Sequence, residues 1–293
     1  MTDFLQGNKK AEHIIDDISR RISVLGRKPL LVGVCILSSN AAVNEAALAF
    51  LAIKKRAGEK AGMRAEIVEL DGALPPWTLR RTIRAIAMRE DVDGVLVQLP
   101  THFSANAQQY IMNAIPPEKD PDVLTQRHLG SFFVGRSVIL PPCVDAVREV
   151  LLEVMPNLKG IRALIVGYGT LTGRPIAHWL ASHEATISVI NKYTTDGSSF
   201  GVSADLIITA AGKPNLVTES WIKPGAVVLD FGYGRDSDGI MKGDSALATD
   251  SAAALVSPVP GGMGPIMVAC LLRNTVILAD RRKKPRMTKT LHA

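Results

Sequence analysis

The sequence predicts an α/β protein of two domains, each built on a parallel sheet with helices packed against it. Three observations carry that reading. Short apolar runs alternate with longer helix-patterned stretches. The alternation pauses near residues 143–160 and then restarts. The restart opens with a strand, a glycine turn and a helix, in "RALIVGYGTLTGRPIAHWL". Strands separated by helices lie side by side in parallel sheets. A chain of 293 residues, 47% of them hydrophobic, can bury two cores of ordinary size.

In order, "PLLVGVCIL" (29–37) reads as a buried strand and "AAVNEAALAFLAIKKRAGEK" as a helix rich in Ala and Leu. "RAEIVEL" (64–70) is a second strand, "PPWTLRRTIRAIAMRE" a helix, and "DGVLVQLP" (93–100) a third strand stopped by Pro100. "LPPCVDAVREVLLEVM" is the helix that ends the first run. The second run continues from "RALIVGYG" through a helix from about Leu171, then "TISVINKY", "ADLIITAAG", "AVVLDFGYG" and "ALVSPVPGG". The last helix, within "GPIMVACLLRNTVILAD", is expected to pack back on the first domain. The expected division is residues 1–145, completed by a helix over 264–281; residues 146–263 as the second domain; and a basic tail over 282–293.

Composition excludes several classes. The net charge of +6 is matched by six cations between Arg281 and Lys289, with no acid after Asp280. The excess is therefore a tail, expected to be solvated and frayed, and the body carries no basic face for nucleic acid. Cys35, Cys143 and Cys270 are odd in number and widely spaced, which fits a reducing, cytoplasmic setting. The histidines show no metal-ligand spacing. The N-terminus lacks the apolar stretch of a signal peptide, and no run of eighteen apolar residues predicts a membrane helix.

Lys54 stands out. On a period of 3.6, Val43, Ala47, Phe50, Lys54 and Ala57 share one stripe, while Lys55, Arg56, Glu59 and Lys60 mostly cover the other sides. A lysine on an apolar stripe either snorkels its amine to solvent or carries an amine that does chemistry. The helix alone leaves both open.

Gly167, Gly169 and Gly173 follow G-x-G-x-x-x-G between a strand and a helix. Such glycines let the backbone turn tightly and approach a pyrophosphate, and the helix N-terminus adds free N–H groups. A Rossmann-like, dinucleotide-binding second domain follows. The next strand ends in Asn191, Lys192 and Tyr193, without the acid that holds the ribose of NAD. Lys192, unless merely solvated, attracts a 2′-phosphate, so NADP is favoured.

With these pieces in place, the chain resembles the bifunctional methylenetetrahydrofolate dehydrogenase/methenyltetrahydrofolate cyclohydrolase family over nearly its whole length. "DGVLVQLP", "PPEKDPDV", the glycine loop and "PVPGGMGPIMVACLLRNT" carry the resemblance. It implies a folate cleft between the two domains, a folate-type substrate and a homodimer. The family's Y-x-x-x-K becomes Phe50 to Lys54, so Lys54 matches the catalytic lysine. Gln98 matches the glutamine that hydrogen-bonds it, and Asp122 the aspartate that holds the pterin. Phe50, Pro260, Gly261 and Gly262 fall beside the substrate. Gly167, Tyr168, Gly169, Lys192 and Tyr233 fall where the family contacts its nicotinamide dinucleotide.

The chain departs from that pattern at Phe50 (tyrosine in the family), Val123 (glycine), Val144 (threonine) and Met267 (threonine). These changes, expected to cluster at the cleft, point to weakened or lost cyclohydrolase activity. They also leave open a non-catalytic folate- and dinucleotide-binding paralogue, or an enzyme for a modified pterin. Retention of Lys54, Gln98 and Asp122 favours catalysis.

Overall fold

The computed structural model describes residues 2–235 and 239–283. They form two compact units, one of Ile15–Leu140 with the stretch from Leu271, the other of residues up to Ile14 with Pro141–Cys270. The expected first domain began at residue 1, yet the first fourteen residues group with the second unit. The reason is a short strand, β1 (Asp3–Phe4), that pairs in parallel with β11 (Leu255–Val256). Between β1 and the first sheet runs α1 (Gly7–Leu25), a helix the sequence reading passed over. Its buried Ala11, Ile14, Ile15, Ile18, Ile22 and Leu25 follow the helical period.

The first unit holds a three-stranded parallel sheet in the order β3-β2-β4, with β2 (Leu30–Leu37) central, β3 (Arg64–Asp71) and β4 (Gly94–Val97). Buried strand residues such as Val32, Val34, Val95 and Val97 face α3 (Pro76–Met88), which adds Leu79, Ile83 and Ala87, four residues apart. Pro76 starts α3, where a missing N–H costs nothing. α4 (Ala105–Met112) and α5 (Gln126–Phe133) begin at Ser104 and Thr125, whose side-chain oxygens accept backbone N–H groups. α2 (Ala41–Lys60), capped by Asn40, joins β2 to β3.

After α6 (Pro142–Val154), the second unit holds a six-stranded parallel sheet ordered β1-β11-β8-β7-β5-β6. Its inner strands are β11, β5 (Arg162–Val166), β7 (Leu206–Thr209) and β8 (Val227–Asp230), with β6 (Thr186–Ile190) at one edge. α7 (Gly173–Ser182) links β5 to β6, and a one-turn α8 (Gly197–Gly201) precedes β7. β9 (Gly234–Arg235) and β10 (Met241–Lys242) form a small antiparallel pair.

The last helix, α9 (Met263–Lys283), starts one residue earlier than expected and ends two later. By length and composition it could cross a membrane, but 61% of its apolar window is buried within the protein. Asn274 and Thr275 are buried on it too, so it is a core helix. Arg282, expected in a frayed tail, lies in this helix and pairs with the buried Asp93 at 3.1 Å. It also donates to the carbonyls of Val92 and Glu90. The rest of the expected tail, 284–293, lies outside the described residues.

Asp93 is a fold-level anchor. Arg27 grips both its oxygens at 2.7 Å, and the N–H of Leu30 donates to it at 3.0 Å. A buried carboxylate deprived of its partners is costly, by roughly 3–5 kcal/mol. Arg27→Ala and Arg282→Ala are each expected to lower the melting temperature, Arg27→Ala the more. The double variant should lose more than the sum, because only then does Asp93 lose both arginines that bond it. Thermal denaturation of the four proteins checks this; a strictly additive double variant contradicts it.

Candidate active site

Lys54 is placed by the packing of α2 on β2. Gly33, mid-strand, permits a close approach: a Cβ there would lie 2.6 Å from the Cδ2 of Leu51. Leu51 and Gly58 are the buried residues of α2, and Lys54 lies between them on the same face. The buried stripe is thus set one residue on from the expected one, and Val43 is 43% exposed. Phe50 stands one turn before Lys54.

Lys54 Nζ donates to Gln98 Oε1 at 2.6 Å. Gln98 follows β4. Its backbone N–H donates to Val34, and its Nε2 donates to Leu99 O at 2.7 Å. That second bond aims the amide oxygen at the lysine. Burial pulls the Lys54 amine below the usual lysine range, and the charge of Asp122 opposes this. Burial pushes the Asp122 carboxyl up to about 6; Lys54 resists the rise, and Asp120 adds to it. Each group is held toward its neutral form by lost hydration and toward its charged form by the other.

Asp122 sits on a tight turn. Asp120 accepts the N–H groups of Leu124 and Thr125 at 3.3 and 2.9 Å, closing the chain around its carboxylate. Val123, between them, is forced to φ 56°. A β-branched residue in that left-handed region is strained by roughly 1–2 kcal/mol. Asn274 of α9 clamps the turn from behind, donating to Pro121 O at 2.9 Å and Leu140 O at 2.8 Å. Behind Asp120 lie His128, 3.5 Å away, and Ser137, 3.1 Å from His128 Nε2. This series resembles a nucleophilic triad but cannot act as one. The single Ser137 hydroxyl proton goes to Ile139 O at 2.7 Å, so Ser137 accepts from His128. It braces the turn.

In the second unit, the predicted dinucleotide residues gather at the C-terminal ends of parallel strands. β6 and β7 flank β5 on opposite sides, so the chain reverses its direction of growth beside β5, where ligands bind in open α/β sheets. The loop after β5 carries Gly167, Tyr168, Gly169 and Gly173. Gly167 has φ 94°, and a Cβ at Gly173 would meet Gly167 O at 2.0 Å, so these two positions admit only glycine. At Gly169 a Cβ would meet nothing within 4 Å. The space beside this loop is open. Thr172 makes no side-chain cap to α7; Arg174 N–H donates to Gly169 O at 3.0 Å, Pro175 has no N–H and Ile176 N–H donates to Thr172 O at 3.2 Å, so the helix start offers its positive dipole end rather than a row of free N–H groups. The loop therefore suits a pyrophosphate.

Lys192 follows β6, exposed, with its Nζ 4.9 Å from the Tyr193 ring centre. Tyr233 follows β8, half exposed. Pro260, Gly261 and Gly262 follow β11 at the same end of this sheet, so they belong to the dinucleotide-type unit, while Phe50, Lys54, Gln98 and Asp122 belong to the other. Val123 and Val144 are fully buried. These two departures act through packing rather than by lining a ligand surface, which corrects the expectation for them.

Four polar residues escaped sequence reasoning: Asp120, Asn274, Asp230 and Asp244. Asp244 gathers the N–H groups of Ala211 and Lys213 at 2.6 and 2.7 Å, shaping the loop after β7. Asp230 accepts from Gly232 and Ser245 after β8. Their partners are distant in sequence or lie in unpatterned loops. The acidic residue nearest after β6, Asp196, is occupied: it caps α8 and accepts from Ser198 and Ser199.

Comparison with known proteins gives a consistent result. Residues 5–122 match the catalytic domain, and 141–283 the NAD(P)-binding domain, of tetrahydrofolate dehydrogenase/cyclohydrolase. The bifunctional protein FolD of Staphylococcus carnosus (strain TM300) is 32% identical over 241 residues, 82% of this chain and 84% of that one. FolD of Wolbachia sp. subsp. Brugia malayi (strain TRS) is 31% identical over 292 residues, 97% of each. The crystal structure of bifunctional FolD from Campylobacter jejuni superposes with a TM-score of 0.87 at 29% identity, covering 96% of this chain and all of that one. The Trypanosoma brucei FolD structure, complexed with NADP cofactor and inhibitor, gives 0.85 at 28% identity, covering 96% and 98%.

The raised Asp122 value has a consequence for stability. An unfolded aspartate titrates near 3.9, and this one near 6 in the fold. The folded state holds the proton more tightly, so stability falls as pH rises between those values, and the full cost is present above about 6. Asp122→Asn removes that cost. The variant should melt a few degrees above the parent near pH 7.5 and together with it near pH 4. Calorimetry at both pH values decides; a variant no more stable near neutral pH contradicts the assignment.

Proposed function

The chain belongs to the tetrahydrofolate dehydrogenase/cyclohydrolase family, and from that we propose that it oxidises 5,10-methylenetetrahydrofolate to 5,10-methenyltetrahydrofolate with NADP⁺ and hydrolyses the product, more slowly, to 10-formyltetrahydrofolate. The observation that carries this reading is the 2.6 Å bond between Lys54 and Gln98, with Asp122 electrostatically coupled to the same amine. A binding-only paralogue has no need to keep a desolvated lysine so paired.

NADP⁺, when bound, would supply the hydride acceptor for oxidation of the methylene bridge. For that step the protein's task is chiefly positioning. Asp122 holds the pterin by accepting from its N–H groups, and Phe50 stacks on an aromatic face of the substrate. The loop of Pro260, Gly261 and Gly262 lies beside the substrate. Gly167, Tyr168, Gly169 and Gly173 take the cofactor's pyrophosphate side, with Lys192 and Tyr233 at the neighbouring strand ends.

Hydrolysis needs a proton relay. An amine lowered by burial takes a proton from the water that attacks the methenyl carbon and returns it to the departing nitrogen as the carbon–nitrogen bond opens, while the proton of the adduct's hydroxyl leaves to solvent and the formyl C=O forms. Gln98 keeps that amine in place. Phe50 lacks the hydroxyl of the family's tyrosine, which makes hydrolysis the weaker activity. The assembly is a homodimer, as the family resemblance implies. The setting is cytoplasmic, in keeping with three buried cysteines that form no disulfide.

Mixing protein, methylenetetrahydrofolate and NADP⁺ should raise absorbance at the methenyl band. NADP⁺ should bind more tightly than NAD⁺ in a direct titration. Protein that binds both ligands without the absorbance change contradicts the catalytic reading. Dehydrogenase kcat/KM should fall as pH drops through about 6, where Asp122 gains its proton.

Lys54→Met keeps the helix, since Met is a comparable helix former. It should slow hydrolysis by roughly 10²–10⁴-fold, more than hydride transfer, with NADP⁺ affinity unchanged. Phe50→Tyr should raise hydrolysis relative to oxidation. If Lys54→Met leaves both activities intact, the amine has no catalytic role.

A further inference from the structure

Resting on the reading that NADP is the cofactor, we propose that Arg174, folded back over the ring of Tyr168, selects for the 2′-phosphate. Arg174 is the second residue of α7, directly after the glycine loop. Its Nε donates to Tyr168 O at 3.1 Å, and its guanidinium carbon lies 5.4 Å from the centre of the Tyr168 ring. One edge of the guanidinium is thus tied to the loop, and the plane rests against an aromatic face. The two Nη groups remain for a ligand. Arg174 is exposed and has no carboxylate partner among the described residues.

Acids are scarce in the flanking sequence. No acidic residue occurs between Glu153 and Glu184, or between Glu184 and Asp196. The Asp196 carboxylate is engaged at the start of α8. β5 and β6 are adjacent, and the N–H of Gly167 reaches Ile190 O at 3.0 Å, so the loops bearing Arg174 and Lys192 leave neighbouring strand ends. The ribose of a dinucleotide is read at the end of the strand after the glycine loop. A phosphate on that ribose meets two cations, while Asp196, held ionised by Ser198 and Ser199, has its Oδ1 turned to the start of α8.

The two cations are not equivalent. Lys192 leans on Tyr193, which is 81% exposed, so its point charge is strongly hydrated. Arg174 offers a planar fork that fits two phosphate oxygens at once, already held by one hydrogen bond and one ring. Less freedom is lost when it binds, so it contributes the larger share of selectivity.

The test uses the full chain and two mononucleotides, adenosine 2′,5′-bisphosphate and adenosine 5′-monophosphate, titrated by calorimetry. The unmodified protein should favour the bisphosphate by about tenfold or more. Arg174→Ala should remove most of that ratio while leaving the monophosphate within about twofold, and Arg174→Lys should fall between, because charge survives but the fork does not. Lys192→Ala should reduce the ratio less than Arg174→Ala. An unchanged ratio in Arg174→Ala, with the ratio lost in Lys192→Ala, overturns the assignment and leaves the NADP reading standing. Equal affinity for the two nucleotides in the unmodified protein overturns both. Arg174 is exposed, so circular dichroism should show each variant folded.

Discussion

An amine and a carboxylate that burial drives toward neutrality are the constraint around which the first unit is organised. Lys54 loses hydration on the face of α2 that meets the sheet, and Asp122 loses it on a turn packed beneath α9. Left alone, each would discharge. Side by side, each opposes the discharge of the other. Gln98 settles the geometry: with its Nε2 committed to Leu99, its oxygen is left for the lysine.

The supporting structure follows from that need. A carboxylate half-stripped of water must be held, so the chain folds around Asp120 and accepts the left-handed strain at Val123. Asn274 fastens the same turn from α9, the helix that returns to the first unit after the second has been built. The Asp93 cluster, with Arg27 and Arg282, ties the far end of α9 to the first strands. The three-stranded sheet carries α3 on one face and α2 on the other; α9 adds apolar cover beside α2, with Leu272 at Gly58 and Thr275 at Gly94, and supplies the clamp on the Asp122 turn.

The second unit solves a different problem, exposing backbone to an anion without letting the loops collapse. Its sheet reverses growth at β5, and two glycines with no room for a side chain shape the turn there. Neighbouring loops are held by buried carboxylates, Asp244 after β7 and Asp230 after β8, which consume loop N–H groups that would otherwise seek water. The α7 N-terminus, by contrast, is left without a side-chain cap.

Sequence by itself determined the α/β class, the two runs of strands, and the glycine loop between β5 and α7, because these rest on local periodicity and on backbone geometries few residues allow. It also put Lys54 on the sheet-facing side of its helix, though the stripe was one residue out. Helix period constrains a face only to within a fraction of a turn, and the approach at Gly33 chose the final rotation. It missed α1, whose buried positions are spaced by polar residues, and it gave the tail too early a start, since charge alone cannot show that Arg282 has a buried partner. Only the tertiary structure decided that β1 joins the second sheet, that Val123 and Val144 are core residues, and that Asp120, Asn274, Asp230 and Asp244 hold the loops. β1 and Asn274 depend on partners far along the chain, and a contact over that distance leaves no pattern in neighbouring residues; Asp120 and Asp230 also hold near neighbours, but in loops that have no periodicity to read.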